Sequence, residues 1–314
     1  RLDPHAATHL VFANIATGTG GLQAGYTGRI REAVGRLDLD ADAVASTPRY
    51  VQNFYGFGND TDLAAPDSAR VRLAQIRGDA LFGGSLGQSL RLRLGPSARY
   101  ADVERDTAAV GVPIVQLPGD PFAPQLHTGA AGRLTLDLTD SAINPRQGLE
   151  VDLHGGTFAG LLGEAEAYSR LGGEVHAFVP FSIAPQMTLA LRVGADHRFG
   201  EAPFYDSATL GQTTNLRGFR RERFTGQTAA FGNAEARVKL FDLRTYVLPI
   251  EIGVLGFGDA GRVWGDGETG GLFDDLHVGV GGGLWFDVLD FAVVNLTVAH
   301  GEETLVTFGG GFQY

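Results

Sequence analysis

Asn233-Ala234-Glu235-Ala236-Arg237-Val238-Lys239-Leu240 sets Ala, Ala, Val and Leu at even positions against Asn, Glu, Arg and Lys at odd ones. Successive side chains of a strand point to opposite faces, so this octet reads as a strand with one apolar and one charged face. The same period recurs towards both ends of the chain. In Leu22-Gln23-Ala24-Gly25-Tyr26-Thr27-Gly28-Arg29-Ile30-Arg31, Leu, Ala, Tyr, Gly and Ile alternate with Gln, Gly, Thr, Arg and Arg. Leu37, Leu39, Ala41 and Ala43 alternate with Asp38, Asp40 and Asp42, and Leu90, Leu92 and Leu94 with Arg91 and Arg93. Leu134, Leu136 and Leu138 flank Thr135 and Asp137, and Leu149, Val151 and Leu153 oppose Glu150, Asp152 and His154.

Alternation alone also fits a soluble sandwich of two sheets. Repetition and length favour a barrel in a bilayer, because many runs reach the roughly 9–11 residues that a tilted strand needs to cross it. The pattern predicts strands over 8–16, 21–32, 36–45, 69–81, 87–104, 127–138, 147–158, 164–180, 186–198, 229–240, 246–263, 275–288, 290–300 and 303–314. Fourteen is an even number, as a closed antiparallel bacterial barrel requires. Connections alternate in character, from the tight Asn144-Pro145-Arg146-Gln147-Gly148 to the long segments 105–126 and 199–228. No linker divides residues 1–314, so one all-β domain is expected.

Composition excludes several classes. The 314 residues include 46 Gly and no Cys, and the mean hydropathy is zero, too polar for a bundle of spanning helices. The most apolar stretch, around Ala177 to Ala184, is short and interrupted by Pro180, with Pro185 just beyond it. A chain without Cys fits an oxidising compartment. The start, Arg1-Leu2-Asp3-Pro4-His5, has no apolar h-region, so a secretory signal is expected to have been removed or to lie outside this sequence. With 36 acidic and 25 basic residues the net charge is −11, and no basic run interleaved with aromatics points to nucleic acid.

Two segments carry a family resemblance. The long connection contains Leu216-Arg217-Gly218-Phe219, and one strand beyond the next run stands Phe257-Gly258-Asp259-Ala260-Gly261. In order and spacing these resemble the BamA/TamA-like barrels of the bacterial surface-antigen class. Their hallmark is a [VIL]-Arg-Gly-[PheTyr] loop tip folded into the barrel and a Phe-x-Asp-x-Gly strand motif that receives the arginine. Asn144-Pro145 followed by Gly148 is similar to that family's Asn-Pro hairpin. Arg49-Tyr50-Val51-Gln52-Asn53-Phe54-Tyr55-Gly56-Phe57-Gly58-Asn59 resembles a loop of members fused to phosphoesterase domains; other members carry a lipase domain.

The resemblance implies a bacterial outer-membrane location amid outer-membrane lipid and lipopolysaccharide. It implies insertion or translocation of proteins, or anchoring of a fused or partner domain, with a protein client or a fused periplasmic domain as partner. No cofactor is implied. Members have sixteen strands, with five after the arginine loop. Five follow it here and nine precede it, so two N-terminal strands are expected to be missing or the barrel to be a fourteen-stranded variant. No βααββ repeat of the POTRA kind is read in the chain.

Parity agrees with the motif reading. If Ile250, Ile252 and Val254 face lipid, Phe257 and Asp259 face inward, where a lone carboxylate needs a partner that Arg217 can supply through two parallel hydrogen bonds. Gly218 lets the tip turn, and Phe219 can wedge against the wall. Val306, Phe308, Gly310, Phe312 and Tyr314 read as one face of a terminal strand ending on an aromatic, like the assembly signal of outer-membrane barrels. Gly309-Gly310-Gly311 should kink that strand.

Three enzymatic patterns carry less weight. Gly83-Gly84-Ser85-Leu86-Gly87 matches G-x-S-x-G, yet a nucleophile elbow joins a strand to a helix and this segment joins two strands. His5 and His9 have i,i+4 spacing without a helix or a third ligand. Asp38 and Asp40 read as charges lining a polar interior. No catalytic or metal site is expected; the alternative function is a passive diffusion channel.

Overall fold

The computed structural model describes residues 7–62, 69–105, 113–117, 119–163, 165–181, 186–244, 249–289 and 292–312. Fourteen long strands are formed: β1 Ala7–Ala16, β2 Gly21–Val34, β3 Leu37–Ser46, β4 Leu73–Leu86, β5 Leu90–Val103, β6 Gln125–Asp137 and β7 Gly148–Leu162. They continue with β8 Tyr168–Phe181, β9 Met187–Gly200, β10 Thr228–Arg244, β11 Pro249–Trp264, β12 His277–Val288, β13 Ala292–His300 and β14 Thr304–Gly310. They make one sheet in sequence order with β1 and β14 at its two edges. The paired strands are antiparallel wherever their register is defined, as from β10 to β14. Sequence-neighbouring strands pair throughout, across the long connections as well as the tight turns. No helix described is long and apolar enough to cross a membrane.

The faces are inverted relative to a soluble protein. Val193, Val280, Val298, Val306 and Phe308 are exposed, Phe308 at 76%. Arg93, Arg192, Glu235, Arg237, Asp259 and Asp287 are buried, Glu235 at 1%. An apolar band over many adjacent strands would aggregate in water and is the surface that lipid requires.

Two compact units are distinguished by internal packing. One comprises Arg1–Thr135, Leu153–Gly172 and His197–Ser207, and the other Leu136–Asp152, Gly173–Asp196 and Ala208–Tyr314. In the first, Phe54, Val71, Leu73, Ile114, Phe204 and Tyr205 belong to a hydrophobic cluster built largely from connecting segments. Beneath it the Tyr168 hydroxyl donates to Asp206, whose backbone carbonyl accepts from Arg198 Nε at 2.6 Å. In the second unit, Leu210, Leu216, Phe219, Phe224, Phe231 and Val263 pack together, joining the segment between β9 and β10 to the inner faces of β10 and β11.

Several strand ends lie a few residues from the sequence reading, and in two strands the shift has a structural cause. The strand expected over 69–81 begins at Leu73, because Arg70–Val71 instead pairs with Gln52–Asn53, and it runs on to Leu86. Alternation could not separate these pieces, since Val71 is buried beside Leu73 in the same cluster. The strand expected over 303–314 ends at Gly310, where Gly311 adopts φ 79°, a left-handed conformation suited to glycine. That turn carries Phe312 off the face shared by Val306 and Phe308. Its ring lies 5.8 Å from Trp285 and under the Arg237 guanidinium at 3.7 Å. Tyr314 lies outside the described residues.

The inverted faces make a direct prediction. Leu284, mid-strand on β12 and outward-facing, should tolerate Ala, whereas Leu284→Arg should cost about 2–4 kcal/mol of stability on refolding into bilayers. Equal stability of the two variants would contradict a lipid-facing position.

Candidate functional site

The residues of interest sit on the segment between β9 and β10, within the second unit. A ribbon of Ala208–Leu210 paired with Phe224–Gly226 forms its stem, and a single helical turn, Gln212–Asn215, precedes the tip. Asn215 braces that turn: its side chain accepts from the Gly211 amide at 2.9 Å and donates to the Thr209 carbonyl at 2.9 Å. The wall then holds the backbone, with Asn233 Nδ2 donating to the Asn215 carbonyl at 2.9 Å and Arg192 to the Thr214 carbonyl at 2.7 Å.

Arg217 follows at the tip. Its Nε donates to Asp259 Oδ2 at 2.7 Å, one terminal nitrogen to Asp259 Oδ1 at 2.8 Å, and the other to Glu235 at 2.6 Å. Its backbone amide adds a fourth bond to Asp259 Oδ2 at 3.0 Å. The guanidinium also lies 3.4 Å from the Phe257 ring centroid. Glu235 in turn accepts from Arg237 Nε at 2.8 Å, so two cations and two carboxylates share one interior. The Arg217, Glu235 and Asp259 side chains are 6%, 1% and 0% exposed. In such surroundings the planar fork of arginine grips Asp259 through two parallel bonds and still reaches Glu235 with its remaining nitrogen, a bidentate geometry that a lysine ammonium does not offer.

The other motif residues shape the seat. Gly218 has φ 88°, and its carbonyl accepts from the Glu303 amide at 3.1 Å. Phe219 is buried and lies against Gly301, which has room for the ring because it has no side chain. Gly261 leaves space for Leu210; a Cβ there would stand 3.0 Å from that side chain. Sequence reasoning did not single out Gly279, where a Cβ would come within 1.9 Å of the Arg217 carbonyl oxygen. Only a glycine lets the tip approach β12 so closely.

Glu235 stood on the inward face in the sequence but was not recognised as a second partner of Arg217. A further clamp was also missed. Arg220 grips Glu303 through bonds of 2.8 and 2.5 Å, and Arg223 grips Glu302 through bonds of 2.6 and 2.8 Å. Both acids lie in the turn between β13 and β14. The only sequence signal is a loop rich in arginine and a turn rich in glutamate. Behind the tip, a cavity of about 400 Å³ is lined by residues including Arg217, Glu235, Asn295, Thr297, Thr307 and Phe312.

The remaining candidates lie apart from this site. Phe308 faces outward on β14, and Phe312 turns inward as described. Ser85 lies within β4, paired with Arg91 of β5, and no helix follows it. His5 falls outside the described residues, and His9 on β1 is hydrogen-bonded to the Tyr26 hydroxyl at 2.8 Å. Asp38 and Asp40 flank Arg93 at 2.9 and 3.4 Å. Among the described residues no group of three or more His, Cys, Asp or Glu is placed to hold a metal ion.

Removing one partner from a buried, fully hydrogen-bonded ion pair strands the other charge. Arg217→Ala should therefore cost about 3–5 kcal/mol in unfolding measurements, with Arg217→Lys intermediate; a loss under about 1 kcal/mol, typical of an exposed pair, would contradict burial. The outer clamp has its own pH signature. The hydrogen bond from Arg220 holds the Glu303 carboxyl below the ordinary glutamate value. A depressed carboxyl contributes stability that is present above the unfolded-state pKa and is lost as pH falls through the folded-state pKa. Protease protection of the loop should persist through the ordinary glutamate range and drop only below it. Release at higher pH would exclude this role for Glu303.

Residues 36–298 match the Omp85 superfamily domain. The fold is similar to that of BamA from Haemophilus ducreyi lacking POTRA domains 1-3, with a TM-score of 0.65 and 12% identity over 97% of this chain and 67% of that one. Among curated proteins no sequence matches significantly. The superfamily match covers most of the chain and both halves of the arginine–aspartate pair. The chain belongs to the Omp85 superfamily and is a bacterial outer-membrane protein of the all-β, antiparallel transmembrane-barrel class.

Proposed function

We propose that this barrel inserts or translocates proteins at the outer membrane, with Arg217 holding the long loop inside as part of that work. The observation that carries the reading is the buried Arg217–Asp259–Glu235 constellation. A loop seated on the wall by buried charges obstructs an open passage, which favours this reading over a wide passive pore, and a plain membrane anchor does not require one. The cavity between this constellation and the inner faces of β13 and β14 adds support, since a seated loop then borders the edge strand of the sheet.

Reconstitution provides the test. Liposomes containing the protein should fold a urea-denatured outer-membrane barrel client faster than empty liposomes, and Arg217→Ala should reduce that acceleration while heat-modifiability on gels shows the barrel still folded. No acceleration, together with large steady conductance in planar bilayers, would overturn the proposal in favour of a diffusion channel. No acceleration without conductance would leave anchoring of a fused or partner domain as the better account.

A further inference from the structure

The turn between β6 and β7 is built unlike a surface connection. Pro145 at its centre is buried. Its backbone is braced from within: Asp140 Oδ1 accepts from the Arg146 and Gln147 amides at 2.9 and 3.2 Å, and Ser141 Oγ from the Ile143 and Asn144 amides at 3.3 and 3.2 Å. The side chains flanking the proline reach strands far away in sequence. Asn144 Nδ2 donates to Asp287 on β12 at 2.8 Å, and Arg146 donates to Glu251 on β11, which also accepts from Lys239 on β10 at 2.6 Å. A turn rigid before it docks loses little entropy in docking.

Position gives these contacts their meaning. Glu251 lies near the start of β11 and Asp287 near the end of β12, so the turn covers the ends of β10, β11 and β12 away from the long loop. Asp259, where Arg217 is seated, stands eight residues further along β11, ~26 Å at 3.3 Å per residue. The second unit is thus occupied from both ends, each time by a connecting segment bonded to inward carboxylates.

We propose that the Asn144–Arg146 turn is a latch, closing this end of the unit to ions and opening independently of the arginine loop. Asp287 makes the latch two-state. It is 2% exposed, and its Oδ1 is buried with no hydrogen-bond partner among the described residues. A carboxylate in that position needs either the turn's amide or water. The seated turn shields that carboxylate from solvent, and its withdrawal exposes it and makes this end conducting. Glu251 and Arg146 are partly exposed, so their pair releases more readily than the buried pair at Arg217.

Single-channel recording in planar bilayers tests this. Asn144→Ala/Arg146→Ala, with Arg217 intact and heat-modifiability unchanged, should open more often or conduct several-fold more than wild type; wild-type conductance from the folded double variant would overturn the latch. Should that variant fold poorly, Asn144→Cys/Asp287→Cys decides, since the chain has no other cysteine. A short cleavable bismaleimide should bridge the pair in native membranes, keep conductance low, and release it on cleavage. Failure to bridge, or conductance indifferent to cleavage, would also overturn the proposal. Neither readout involves protein insertion, so the result stands apart from the insertion assay.

Discussion

Two carboxylates on neighbouring strands, Glu235 and Asp259, project into an interior that bulk water does not reach. Arg237 can balance one of them; without a second cation the other would have to be protonated, hydrated or lost. Arg217 is that cation, and it arrives on the loop rather than on the wall. Most of the second unit follows from this requirement. Gly279 leaves the space that the Arg217 carbonyl occupies, and Asn215 and Asn233 fix the approach so that the guanidinium meets both acids.

The same logic runs through the sheet. Lipid cannot satisfy backbone polar groups, so the chain crosses it as paired strands with aliphatic side chains outside and charged ones inside. Interior charges need local compensation, and connecting segments supply it with Arg217 from one end and Arg146 from the other, while Arg220 and Arg223 pair with acids of the turn between β13 and β14. At Leu240 a bulge in β10 leaves both Leu240 and Phe241 exposed, while Lys239 still reaches Glu251. Even an irregularity of the ladder keeps apolar atoms outside and charge inside.

Much of this was legible from residue order. Period two revealed the strands because a pleated backbone leaves no other arrangement for Ala234, Ala236 and Val238 opposite Glu235 and Arg237. The pairing of Arg217 with Asp259 was legible because two short motifs carry it. What remained hidden depends on three-dimensional approach. Glu302 and Glu303 sit in a turn whose proximity to Arg223 and Arg220 is set by the docked loop, not by spacing. Phe312 keeps the parity of Phe308 in the sequence and loses it in the structure, because a single left-handed residue, Gly311, reverses the face. The buried Pro145 looked like an ordinary turn proline because burial of a turn leaves no period.

Hydrogen exchange at the Arg217 amide, measured with the protein in a bilayer, addresses the central interaction most directly. That amide is bonded to Asp259 within the buried site, so it should exchange as slowly as the ladder amides of β10 and β11. Exchange at the rate of an open surface loop would mean that the tip is not seated, and the account built on it would fail.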